Sequence, residues 1–276
     1  MSDDDVAAHY TSAGLLAAIR DGVAKLGKTP ATATVDDLAP VDEFHVGGRQ
    51  ASEHFLGQLG LTSDQHILDV GCGLGGSARF AATRYGCHVT GLDLTDAFVA
   101  TGKVLCDWVG LAGQVSLRQG SALAMPFEAE AFDGAYMLHV GMNIADKDRL
   151  CAEAYRVLRP GAGFGIYDLM RTGDGELAYP VPWASTPETS IVQTPDDYRR
   201  ALETAGFTIT DECRRREFAL EFFAQMQARA VDSGGPAPLG LHLLMGETTP
   251  RKLANMVGNI ASGTIAPVEL MARKAG

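Results

Sequence analysis

The chain has 276 residues, 46% hydrophobic and 21% charged, an ordinary globular composition with enough length to bury a sizeable core. Its 34 acidic side chains against 23 basic ones give a net charge of −11. That balance argues against a nucleic-acid partner, because a polyanion is held by a basic surface. No apolar run reaches the ~18 residues of a membrane span. The N-terminal MSDDD is acidic where a secretion signal is basic and then apolar. The five cysteines, Cys72, Cys87, Cys106, Cys151 and Cys213, are odd in number and never spaced C-x-x-C. These features predict a cytoplasmic chain with reduced thiols, no disulfide framework and no metal site.

Residues 12–26 carry Leu15, Leu16, Ile19, Val23 and Leu26 at helical spacing, with Ser12 as a candidate cap. A loop is expected through Pro30 and Pro40, and a second helix over 49–60. From residue 66 the pattern changes to strand, glycines, helix, strand. HILDVG, CHVTGLDL, QVSLRQG, AFDGAYMLHV and GFGIYDLM read as five strands, with helices between them and Pro160-Gly161 closing the helix at 147–159. This alternation predicts a parallel sheet with helices on both faces. Thr194-Pro195-Asp196-Asp197 is a helix start and Gly206 its stop. FTITDECRRREF reads as a sixth strand, 217–232 and 248–261 as helices, and APVELMARK as a last strand. The last two strands suggest an antiparallel pair with the helical insertion, about 217–262, as a lid. Residues 1–60 would form an N-terminal helical cover, and 61–276 the core.

Residues 67–76, Ile-Leu-Asp-Val-Gly-Cys-Gly-Leu-Gly-Gly, place Gly71, Gly73 and Gly76 in a G-x-G-x-x-G turn after a strand. Such glycines let backbone lie against a ligand at the next helix's start. A turn without a ligand is the plain alternative. Asp69 narrows the choice: a carboxylate there meets repulsion from a pyrophosphate and attraction from an ammonium or a sulfonium. Asp93, seventeen residues after Gly76 at the end of the second strand, suits ribose hydroxyls. Alone it would read equally well as a solvated strand end.

With these residues in place, the chain resembles the class I S-adenosylmethionine-dependent methyltransferases, whose first motif is a D-x-G-x-G turn. The likeness continues through G-L-D-L (91–94), Q-G-S-A-L-A-M-P-F (119–127), F-D-G-A-Y (132–136) and Y-R-V-L-R-P-G-A-G-F (155–164). It is strongest to small-molecule enzymes of the sarcosine/dimethylglycine, phosphoethanolamine and tocopherol type, whose cofactor-binding lead-in F-H-V-G-G (44–48) resembles. The resemblance implies a Rossmann-like, seven-stranded, mostly parallel sheet with an antiparallel last strand, S-adenosylmethionine as cofactor, and methyl transfer to N, O or C of a small molecule. It places Gly71 and Gly73 against the methionine part, Asp69 near the amine, Asp93 on the ribose and Leu94 on the adenine face. Ser121 and Ala122 would meet the adenine edge, with Ser121 standing where many relatives have aspartate. His45 and Gly48 belong to the lead-in, and His139, just after strand four, would face the sulfonium or the substrate. Monomer and homodimer both fit.

In-line methyl transfer needs alignment, and removal of a proton suits a histidine or tyrosine. The candidates are His139, Tyr10, His45 and Tyr136. Several relatives carry a histidine four residues before the lysine of the D-K pair, where this chain has Asn143. Either His139 serves from a shifted position, or Asn143 orients the acceptor without a base; a helix cap is the plain reading of Asn143. Trp183 could bind a cationic amine or anchor its loop. Arg214-Arg215-Arg216 reads as a solvated edge, and Phe218, Phe222, Phe223 and Met226 as core or lid packing. Two alternatives remain at this stage: a nicotinamide-dependent oxidoreductase, against which Asp69 counts, and a catalytically silent cofactor-binding module.

Overall fold

The computed structural model describes residues 14–233 and 237–276. Tyr10 and Ser12 lie outside them. Three helices come first: α1 (Leu15–Lys25), α2 (Val35–Asp42) and α3 (Gly48–Gly57). The core follows as β1 (His66–Val70), α4 (Gly76–Tyr85), β2 (His88–Asp93), α5 (Asp96–Trp108), β3 (Val115–Gln119), β4 (Phe132–Leu138), α6 (Lys147–Val157), β5 (Leu158–Arg171), α7 (Pro195–Ala205) and β6 (Phe207–Arg214). Helices α8 (Arg216–Ser233), a short α9 (His242–Met245) and α10 (Thr249–Ala261) precede β7 (Ile265–Lys274).

The seven strands form one sheet in the order β3-β2-β1-β4-β5-β7-β6. All pairs from β3 to β5 are parallel, and β7 runs antiparallel between β5 and β6. The strand order reverses between β1, which pairs β2 on one side, and β4 on the other. Open α/β sheets bind ligands outside the carboxyl ends of strands at such a switch point. One apolar layer joins Leu68, Met137 and Ile166 to Leu150 and Leu202 of α6 and α7; the other joins Ile67 and Tyr167 to Phe55 and Ala81 of α3 and α4.

Three local expectations change, and a fourth is resolved. Residues 35–42 form α2 despite Pro40, because a capping box satisfies its first turn: the Asp37 amide donates to Thr34 Oγ1 at 3.3 Å and the Thr34 amide to Asp37 Oδ2 at 2.8 Å. Pro160-Gly161 sit inside β5 rather than ending α6; Pro160 needs no ladder donor at the first residues of a strand. Strand β6 stops at Arg214, and the arginines beyond it are tethered rather than solvated: Arg215 lies 3.6 Å from the buried Glu269 of β7, and Arg216 Nε donates to the Ile260 carbonyl at 2.9 Å. The aromatic run of α8 divides, with Phe223 buried against Trp183 and Leu169, whereas Met226 is exposed.

Candidate active site

A cavity of about 2200 Å³ opens where β1, β2 and β4 end, roofed by α8, α9 and α10 and flanked by the 42–50 segment. It brings together Asp69, Gly71, Gly73, Asp93, Leu94, Ser121, Ala122, His139, Asn143, His45 and Gly48 from separate parts of the chain.

The turn after β1 sets the floor. Gly71 (φ 74°) has no room for a side chain, since a Cβ would lie 2.3 Å from Val140. Gly73 (φ 54°) differs: among the described residues a Cβ there would meet nothing within 4 Å, which leaves open backbone for a ligand to approach. Four amides of the loop bond within the protein. Gly71 and Cys72 donate to the Leu92 carbonyl at 2.7 and 3.0 Å, Gly75 to the Cys72 carbonyl at 2.8 Å, and Gly73 to Asp93 Oδ2 at 2.8 Å. The Asp69 carboxyl beside this turn disfavours a pyrophosphate, and with it the nicotinamide alternative.

Asp69 is buried opposite Tyr136 of β4, whose hydroxyl donates to Asp69 Oδ2 at 3.2 Å. Burial pushes its carboxyl up to about 8, against the pull of Tyr136 and with a push from Asp93. A cation beside it would restore its charge. Asp93 accepts from the Gly73 amide through Oδ2 and from the Thr95 amide at 2.8 Å through Oδ1. Asp93 lines the cavity, where lone pairs left by these bonds can accept from a hydroxyl. Burial also raises the Asp93 carboxyl, with those two amides opposing. Ser121 Oγ accepts from the Leu123 amide at 3.3 Å, which fixes the 121–123 turn.

His139 follows β4 with φ 54°, a left-handed backbone that histidine tolerates better than most residues. Its ring lies over Tyr167 with centroids 5.0 Å apart, and Nδ1 accepts from the Val46 amide at 3.3 Å. Burial and the nearby His45 press its basicity well below the ordinary histidine value. His45 stitches the lead-in together: Nε2 lies 3.1 Å from both the Gly48 carbonyl and Ser52 Oγ, and Ser52 donates to Glu43 at 2.9 Å. Its imidazole is pressed to about 4, chiefly by burial.

Asn143 does not cap α6; Asp146 does, accepting from the Arg149 amide at 2.8 Å. Instead Asn143 Nδ2 donates to the Trp183 carbonyl at 3.0 Å, and Trp183 Nε1 to Ser190 at 2.9 Å. Trp183 is buried, so it anchors its loop. Three clusters carried no sequence signal: Glu43 with Arg49 at 2.7 Å, Asp42 with Arg79, and Asp168 with Tyr198 at 2.6 Å. Beside the last, Lys147 donates to the Gly141 carbonyl at 2.8 Å and holds the turn carrying Asn143. Only the D-K pair hinted at Lys147. Among the described residues no three His, Cys, Asp or Glu side chains are placed to hold a metal, and no helix is long and apolar enough to cross a membrane.

Residues 68–166 match the family described as Methyltransferase domain. The O-methyltransferase resE of Aspergillus sclerotiorum is 31% identical over 181 residues, covering 64% of this chain and 67% of that protein. The sterol 24-C-methyltransferase erg-4 of Neurospora crassa is 37% identical over 136 residues, 49% of this chain. That match spans only 35% of the sterol enzyme's length. Among solved structures, geranyl diphosphate C-methyltransferase from Streptomyces coelicolor A3(2) superposes with a TM-score of 0.71 at 19% identity, covering 99% of this chain and 97% of that one. The Haemonchus contortus phosphoethanolamine N-methyltransferase 2 gives 0.72 at 19% identity, covering 100% and 60%. The chain belongs to the class I S-adenosylmethionine-dependent methyltransferases.

Proposed function

We propose that this protein transfers a methyl group from S-adenosylmethionine to N, O or C of a small-molecule acceptor with an apolar body. The observation that carries the reading is the buried Asp69, a carboxylate in want of a cation, beside the glycine turn at the switch point of the sheet. A cofactor with an ammonium and a sulfonium fits that arrangement, and the open backbone at Gly73 accommodates its methionine part. When bound, the cofactor supplies a methyl carbon activated on cationic sulfur. Asp69 takes the ammonium, Asp93 the ribose hydroxyls, Leu94 an adenine face, and Ser121 and Ala122 the adenine edge. The 43–48 lead-in, held by His45, Ser52 and Glu43, closes the cofactor side. His139 and Asn143 stand at the acceptor side. Holding the acceptor atom in line with the methyl group contributes on the order of 7–11 kcal/mol.

The acceptor wall supports the apolar body. Phe222, Phe223, Met226, Leu239, Leu253 and Met256 line it, and the cavity exceeds the ~300–1,000 Å³ of most ligand pockets. Eight carboxylates and two arginines line the cavity among the described residues, a balance that repels phosphorylated acceptors. The sterol name of one group of relatives points the same way. Helices α1–α3 and the insertion around 217–262 act as covers. The protein works in the cytoplasm, as monomer or homodimer, with its five free thiols reduced. Calorimetric titration with S-adenosylhomocysteine, followed by labelled methyl transfer to apolar phenols, ketones and amines, tests this. Saturable binding and one labelled product support it; no binding at millimolar cofactor overturns it.

A further inference from the structure

Two side chains from adjacent strands clamp one peptide of the lead-in. The Tyr167 hydroxyl donates to the Val46 carbonyl at 3.0 Å, while the Val46 amide donates to His139 Nδ1 at 3.3 Å. The stacking of His139 on Tyr167 fixes the ring plane, and its backbone amide, bonded to the Tyr167 carbonyl at 2.7 Å, fixes its root. Because Nδ1 is an acceptor, a neutral ring must carry its proton on Nε2. That Nε2 is buried and has no partner among the described residues, and the residue lines the cavity.

From this clamp we infer that His139 is a fixed Nε2–H donor for an oxygen atom of the methyl acceptor, and not a general base. The inference rests on reading the cavity as the methyl-transfer site. A base at Nε2 would need the other tautomer, which sets the Nδ1 proton against the Val46 N–H. That arrangement leaves two buried donors unsatisfied, a disadvantage of about ten- to a hundredfold. Proton uptake at either nitrogen is opposed by the same clamp. The acceptor class follows: a carbonyl, enol or phenol oxygen placed to accept from Nε2–H. The acceptor's own proton then passes to solvent water, at a pH set by that molecule's acidity instead of a histidine's.

Ring-nitrogen NMR on 15N-histidine protein tests the inference, with the His139 signals assigned by their loss in His139→Asn. The expected result is an Nε2–H tautomer that stays neutral from about pH 5.5 to about 8.5. An Nδ1–H tautomer, or titration near the ordinary value of about 6.5, overturns it. Turnover of apolar phenols and 1,3-diketones against oxygen-free amine analogues is the second readout. His139→Gln, which keeps an N–H donor, should stay within about tenfold of wild type, and His139→Phe should lose about a hundredfold. Equal losses in both variants, or turnover of oxygen-free amines alone, overturn the donor role. Failure of wild-type protein to bind S-adenosylhomocysteine would instead defeat the methyl-transfer reading, while the tautomer spectrum still reports the clamp.

Discussion

Replacing Asp69 by asparagine should strengthen the ligand-free protein and weaken its grip on the cofactor. The native carboxyl sits at about 8 against an ordinary 3.8. For an acid raised in this way the native state binds more protons than the unfolded one. The associated stability is therefore fully present below the ordinary value, falls as pH rises, and is gone above about 8. At pH 7 the displacement spans about three units, or ~4 kcal/mol at 1.36 kcal/mol per unit. Asparagine removes that penalty and loses part of the Tyr136 hydrogen bond, worth ~1 kcal/mol. A net ~3 kcal/mol corresponds to a rise in Tm of roughly 6–12 °C at pH 7, shrinking toward acid pH. Binding should respond oppositely. A cofactor ammonium ionises Asp69, so wild type should release about 0.9 proton per cofactor at pH 7, seen by calorimetry in buffers of different ionisation enthalpy. Asp69→Asn should release none from this site and bind about 10- to 100-fold more weakly. An unchanged affinity with equal proton release in both proteins would refute the assignment.

The two loop glycines should separate folding from binding. Gly71→Ala drives a Cβ to 2.3 Å from Val140 and should lower Tm in thermal melts. Gly73→Ala meets no atom of the described residues within 4 Å, so its melt should change little beyond ~1 kcal/mol of backbone strain, while titration should show weakened cofactor binding. Asp42→Asn breaks the buried pair with Arg79 and should cost ~3–5 kcal/mol by denaturant unfolding. Asn143→Ala releases the Trp183 carbonyl and should raise KM for the acceptor more than for the cofactor in steady-state kinetics.

The floor of the cavity was legible because it is local: Asp69, Gly71, Gly73 and Asp93 follow from one strand, one turn and the next strand. The antiparallel pairing of β6 with β7 could also be read from the insertion between them, but not that β7 threads between β5 and β6. What escaped was set by distant partners. The bond from Val46 to His139 links residues 93 apart in sequence, and that from Tyr167 to Val46 residues 121 apart. Arg215 looked like a solvated charge because its partner, Glu269, lies buried on a strand formed much later in the chain. Pro40 is a local exception: it looked like a break for want of an amide, yet the helix started by the capping box at Thr34 runs through it. Trp183 left two readings open until Ser190 and Asn143 were seen to hold its loop.

Cocrystals with S-adenosylhomocysteine test the assignment of the site most directly. The expected density places the ammonium within hydrogen-bonding distance of Asp69, the ribose hydroxyls on Asp93 and the adenine between Leu94 and the 121–122 edge. The vacated methyl position should face His139 across the apolar chamber under α8 and α10. A cofactor bound elsewhere, or one whose ammonium lies away from Asp69, would contradict it.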